Sequence, residues 1–130
     1  MTNPQPITPV LVYEDIEAAH DFLVEAFGMQ SVGVNRDADG RPVHGEVRVG
    51  GAPIWLHRVS AEYELRAPSS LPAASGGLAV LVPDVDAHHE HARAAGAAID
   101  SQPTDQPYGR REYQARDPEG HRWWFGTPNA

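Results

Sequence analysis

Two stretches of this sequence follow one plan, and the repetition constrains the fold more than any single motif does. Residues 12–29 (VYEDIEAAHDFLVEAFGM) and 78–97 (LAVLVPDVDAHHEHARAAGA) each leave a Val-rich run, pass an Asp, continue at helical spacing and stop at a Gly. Asp15 and Asp84 are natural N-caps, and Gly28 and Gly96 are natural helix stops. Between them Ile16, Ala19, Phe22, Leu23 and Phe27, and then Val85, His88, His89, Ala92 and Ala95, recur three and four residues apart. Around the first helix the pattern predicts strands over 7–13, 29–35, 41–49 and 52–59, with Pro9 hinting at an edge or bulge and turns at 37–40 and 50–51. Around the second it predicts strands over 78–82, 97–102, 111–116 and 121–126, with a loop at 103–109. Each half thus reads β, α, β, β, β, an internal repeat with little sequence identity. The expected fold class is α+β: paired βαβββ modules forming curved mixed sheets, helices on the convex side and a concave cleft opposite. One domain spans 1–130, with module one at about 5–60, a linker or mobile loop at about 61–76 and module two at about 77–127.

Strand parity divides the aromatic residues. In residues 52–59 Ile54 and Leu56 face one way, Trp55 and His57 the other. Asp117-Pro118-Glu119-Gly120 is a turn signal ahead of a strand carrying Trp123 and Trp124, of which Trp123 is expected in the core and Trp124 in the cleft. If the loop is those four residues, Tyr113 pairs with Trp124 and Arg111 with Gly126, and both join the ligand face. Tyr63 and Tyr108 lie in loops that would flank the cleft mouth. His88, His89 and His91 look like a metal site, but no carboxylate shares their face, and a solvated convex helix surface is expected. His44 and Glu46 share a strand face, and Glu112 is a lone candidate general base.

Charge and composition exclude several classes. A net charge of −8 argues against nucleic-acid binding, which needs a basic face, and fits a cationic or neutral ligand or simply solubility, the last being the blander reading. With no Cys, disulfides and thiolate chemistry are absent. No apolar run approaches the roughly 18 residues of a membrane span, and the opening MTNPQP has no signal-peptide character, so cytoplasmic residence is expected.

The two repeated stretches and the closing RDPEGHRWWFG (116–126), in this order, resemble the vicinal oxygen chelate superfamily of glyoxalases, bleomycin-resistance proteins and extradiol dioxygenases. The resemblance implies a homodimer with two deep clefts, in which modules can be exchanged between subunits. In the family's metal enzymes the ligands come from the first and last strand of each module. Here those positions fall on Thr8, on Trp55 (or His57 two residues along), on Gly77 and on Trp124. Thr is a poor donor, Gly has no side chain and indole offers no lone pair, so no metal and no other cofactor is expected. The resemblance therefore points to the metal-free antibiotic-binding members, which sequester bleomycin, mitomycin or enediyne compounds and so confer resistance, ahead of an enzyme. The ligand set so implied is Trp55, Trp124, His57, Arg111, Tyr113, Tyr108, Tyr63 and Thr8, with the tryptophans stacking on the chromophore. The alternative is a metal-dependent lyase, isomerase or dioxygenase with displaced ligands drawn from His57, His44 or Glu112.

Overall fold

The structure, a computed structural model, describes residues 5–129. Module one consists of β1 (Val10–Tyr13), α1 (Ile16–Glu25), β2 (Gln30–Arg36), β3 (Pro42–Val49) and β4 (Ala52–Arg58). Module two consists of β5 (Gly77–Leu81), α2 (Val85–Ala94), β6 (Ala98–Asp105), β7 (Arg110–Arg116) and β8 (Arg122–Pro128). The sheets have orders β1-β4-β3-β2 and β5-β8-β7-β6, with β1–β4 and β5–β8 parallel and the remaining pairs antiparallel. The two modules thus share one topology, and the fold is the α+β arrangement of paired βαβββ modules with helices on the convex faces.

The caps form as the sequence dictates. Asp15 accepts from Ala18 N at 3.0 Å and Asp84 from Ala87 N at 3.1 Å, each satisfying one orphan donor of its helix. Helix α1 buries Ile16, Ala19 and Leu23 against Val47, Ile54 and Leu56. Gly45 of β3 lets the helix approach, because a Cβ there would stand 3.1 Å from Ile16. Helix α2 buries Val85, His89 and Ala92 over Tyr113, Ala115, Trp123 and Phe125.

The closing turn clasps the modules together. Asp117, 4% exposed, accepts from Tyr13 Oη at 2.6 Å and from Trp123 Nε1 at 3.2 Å. The carboxylate of Glu119 accepts from the backbone N–H groups of Glu14 (2.7 Å) and Asp15 (2.9 Å), at the start of α1 where the helix dipole favours a negative charge. His121 Nε2 donates to Val12 O at 2.7 Å, and its ring packs on Tyr13 with centroids 4.6 Å apart. All three side chains reach residues 12–15 of the other module. Burial raises the Tyr13 pKa well above its ordinary value, with the Asp117 carboxylate adding to it.

A second joint lies at the end of α1. Its last carbonyls lack helical partners, and the imidazoles of α2 supply donors: His88 Nε2 to Phe27 O at 2.9 Å and His91 Nε2 to Glu25 O at 2.7 Å. Tyr113 Oη donates in turn to His88 Nδ1 at 2.7 Å. His89, 8% exposed, packs edge-on to Tyr113. The ring of Phe27 meets those of Trp123 and Phe125 at 5.7 and 4.7 Å. The expectation of a solvated histidine face is therefore corrected: the spacing located the face, but the donors are needed by the neighbouring helix end.

This joint makes stability depend on pH. His88 accepts at Nδ1 and donates at Nε2, so it is held neutral; burial lowers its pKa, and neighbouring His91 opposes its protonation. Below the ordinary histidine value the unfolded chain takes up a proton that the native chain refuses, so native stability is fully present above about pH 6.5 and falls as pH drops below it. Chemical denaturation at pH 7.5 and 5.5 is expected to show this loss in the wild type and a smaller one in His88→Gln. Equal loss in both proteins would remove His88 as the cause.

Two strands and the 61–76 segment differ most from expectation. Strand β1 starts at Val10, with Pro9 O still accepting from Trp55 N at 3.0 Å. Strand β6 continues through Pro103 to Asp105, broken by register shifts that keep Pro103 out of the ladder. Within 61–76, Ser60 and Leu65 form a bridge, Ala67 is fully buried and a short 3-10 turn, Pro68–Ser70, follows, so this segment is tied to the body.

Candidate ligand-binding site

The register shows which side chains share each concave face. On the first sheet Val10, Trp55 and Glu46 lie in one row, and Val12, His57 and His44 in the next. Trp55 is 42% exposed and meets the His44 ring edge-on at 5.7 Å. His57 Nδ1 donates to Arg58 O at 2.6 Å, which leaves Nε2 as the acceptor of its neutral form. Glu46 is held by Arg48 at 2.9 Å.

On the second sheet Ala79, Trp124 and Gln114 form the row equivalent to that of Trp55, and Leu81, Gly126 and Glu112 the next. Two glycines make room for large side chains. A Cβ on Gly77 would stand 2.5 Å from the Trp124 ring, so the indole lies across the edge strand. A Cβ on Gly126 would stand 2.6 Å from the Arg110 guanidinium, which lies over that strand and reaches Val80 O at 3.4 Å. Glu112 is only 7% exposed; its Oε1 accepts from Tyr108 Oη, and Oε2 lies 3.4 Å from Arg110 Nε. That hydrogen bond raises the Tyr108 pKa. Farther along, Asp100 bridges Arg116 and Arg122 at 3.0 Å each.

Two expected site residues lie on the opposite face. Tyr113 pairs with Phe125, is fully buried and donates to His88. Arg111 pairs with Thr127 and is bound to Asp86 of α2 at 2.9 Å and to Asp105 at 3.2 Å. The physical reason is the length of the turn. Asp117 Oδ1 accepts from the backbone N–H groups of both Glu119 and His121, and this draws His121 into the loop. The loop then has five residues, Arg116 pairs with Arg122, and the one-residue slip turns β7 over relative to expectation. Gln114, which the sequence reading missed, takes the place beside Trp124. Tyr63 is 69% exposed, its N–H donating to Ser60 Oγ, and Thr8 is half-buried ahead of β1. Tyr108 is 64% exposed on the β6–β7 turn, above Glu112.

The two most prominent cavities do not coincide with these faces. The larger, about 1170 Å³, opens between the modules and is walled by Ile7, Phe27, Leu78, Val80 and Phe125. Its imidazoles, His88 and His91, already serve the end of α1. The smaller, about 240 Å³, runs beside β1 under the 61–76 segment. Trp55 and Trp124 line neither.

The metal that some relatives of this architecture use does not fit here. Among the described residues no group of three or more His, Asp or Glu side chains is placed to hold an ion. The positions to which the family resemblance assigns those ligands carry Thr8, Trp55, Gly77 and Trp124, of which only Thr8 offers a side-chain lone pair.

Two βαβββ modules of one topology, each with a tryptophan on the strand next to its edge, define the fold class, and known proteins share it. The chain belongs to the Glyoxalase/Bleomycin resistance protein/Dioxygenase superfamily, whose sequence profile matches residues 6–125. An uncharacterised protein of Mycobacterium bovis is 32% identical, covering 97% of this chain and 86% of its own length. Among solved structures, TioX from Micromonospora sp. ML1 superposes with a TM-score of 0.74 at 31% identity, over 95% of this chain and 98% of its own. TnmS3, an antibiotic-binding protein from Streptomyces sp. CB03234, superposes with a TM-score of 0.71 at 26% identity, over 99% of this chain and 98% of its own.

Proposed function

We propose that this protein binds a planar aromatic antibiotic or related natural product, of bleomycin, mitomycin or enediyne type, and sequesters it without a metal and without chemical change, so protecting the cell that makes it. One observation carries the reading: Trp55 and Trp124 occupy equivalent positions on the concave faces of the two modules, each on the strand next to the edge. Two rigid indoles offer apolar area for stacking, while Gln114, His57 and Glu112 supply hydrogen bonds. The likeness to TnmS3 supports the same reading. A second copy of the chain would cover each face, the first sheet of one subunit over the second sheet of the other.

The test is titration of the native protein with a panel of such antibiotics, following tryptophan fluorescence, with metal analysis and mass analysis of recovered ligand alongside. Quenching by a chromophore recovered unaltered is the expected result. No quenching by any compound, or a stoichiometric divalent metal with turnover, would overturn the proposal.

A further inference from the structure

Resting on the concave faces being the ligand surface, we infer that Glu112, Arg110 and Gln114 recognise the edge of a neutral planar ligand in which an N–H stands beside a carbonyl, as in a lactam or imide. Trp124 supplies the wall, and these three residues of β7 supply the polar rim at its edge. Gln114 stands directly opposite Trp124 and presents a carboxamide, both donor and acceptor, at that edge. Glu112 is two residues along on the same face, so its carboxylate and the Gln114 carboxamide flank one strip of β7.

The charges on this face do not call for a cation. The whole chain is acidic, at −8, but this face is not. It carries three guanidinium groups, Arg110, Arg116 and Arg122, against two carboxylates, Glu112 and Asp100, with the pairs already formed. Of the cationic or neutral ligand that the net charge fits, this surface favours the neutral one. What Glu112 offers is an acceptor whose charge is already matched.

The existing partners of Glu112 select an N–H. A carboxylate this buried requires a donor. Tyr108 provides it from a turn in which Gln106 N–H donates to Arg110 O and Gly109 N–H to Gln106 O, and its side chain is mostly in solvent. An exposed phenol on a short turn can leave when a ligand N–H takes its place. Arg110 Nε is buried and makes no hydrogen bond in the described structure, although it lies 3.4 Å from Glu112 Oε2. A carbonyl drawn in beside Glu112 would accept from this guanidinium or from Gln114.

The probes are three flat tricyclic compounds of one shape: phenanthridinone, which has the N–H and carbonyl side by side, its N-methyl derivative, and phenanthridine, which has neither. Each is titrated by tryptophan quenching against the wild type, Glu112→Gln and Tyr108→Phe, with thermal melts to show that the variants are folded. The wild type is expected to bind phenanthridinone about tenfold more tightly than either analogue, the discrimination of one charge-assisted hydrogen bond. Glu112→Gln should shrink that gap to about threefold or less, and Tyr108→Phe, which frees the carboxylate, should tighten the lactam alone by about threefold. Binding of all three equally by the wild type overturns the inference and leaves the aromatic wall standing. A preference for the lactam that survives in Glu112→Gln and is unmoved in Tyr108→Phe overturns it too. No binding of any probe removes the wall itself, and the inference with it.

Discussion

Asp117→Ala is expected to cost about 4 kcal/mol of stability, because two buried donors lose their acceptor and each unsatisfied group costs about 1–3 kcal/mol. The donors are Tyr13 Oη and Trp123 Nε1, on residues that are 0% and 1% exposed. The variant also removes the acceptor that shapes the turn, since Glu119 N and His121 N both donate to Asp117 Oδ1. For a chain of this length the loss corresponds to a fall in melting temperature on the order of 10 °C. Tyr13→Phe removes only the donor and leaves the carboxylate with Trp123 and the turn, so its cost should be smaller, about 1–2 kcal/mol. Thermal and chemical denaturation of the two variants checks this. If Asp117→Ala melts within two or three degrees of the wild type (less than about 1 kcal/mol), the turn is not the clasp that joins the modules.

That clasp explains why the closing motif was only half legible. The turn residues announce themselves, since Pro118 and Gly120 suit a tight reversal and Gly120 takes φ +90°. What they do not announce is loop length, which depends on where the Asp117 side chain finds its donors. A four-residue and a five-residue loop read alike along the chain, yet they place β7 in opposite orientations. Trp123 and Trp124 were separable because parity within one strand is local: Trp123 is buried, while Trp124 packs against Gly77 on the other face. Tyr113 and Arg111 were misplaced because they depend on a pairing between strands. The same contrast holds for the histidines of α2. Their spacing is local, but the carbonyls they serve, of Glu25 and Phe27, belong to the other module. The strand–Asp–helix–Gly repeat was legible for the complementary reason, that caps and apolar periodicity act over four or five residues.

At the site, the residue types that carry chemistry were visible but their company was not. Glu112 appeared as a lone carboxylate. The structure surrounds it with Tyr108 from the turn before β7 and with Arg110 two residues back, laid flat because Gly126 has no side chain. Gly77 was noticed as a position without a ligand. Its physical role is to leave space that the Trp124 ring occupies. In both cases a glycine on one strand sets the posture of a large side chain on its neighbour, which no pattern along a single strand records.

Trp124→Ala is expected to weaken binding of any chromophore that quenches the native protein by roughly 5- to 30-fold, or about 1–2 kcal/mol, the range of a partly exposed aromatic contact. An indole contributes about 200 Å² of apolar surface, about 5 kcal/mol at about 25 cal/mol per Å² if it were wholly buried by the ligand. Trp124 is already partly covered by β5 and no more than about a third exposed, so about 1–2 kcal/mol of that is left for a ligand to gain. This is comparable to the roughly 1.5 kcal/mol of a single charge-assisted hydrogen bond, so the wall and the polar rim should contribute similarly to affinity, while Glu112 and Gln114 decide which ligand is preferred. Trp55→Ala separates the two faces. A comparable loss from each would mean that one ligand touches both sheets, whereas a loss confined to Trp124 would place the ligand on the second sheet alone. Isothermal titration of these variants, all checked for native melting, measures the effects directly. Affinity within about twofold of the wild type in both Trp124→Ala and Trp55→Ala, a change of under 0.5 kcal/mol, would show that the concave faces are not where the ligand binds and would redirect attention to the apolar gap lined by Phe27 and Phe125.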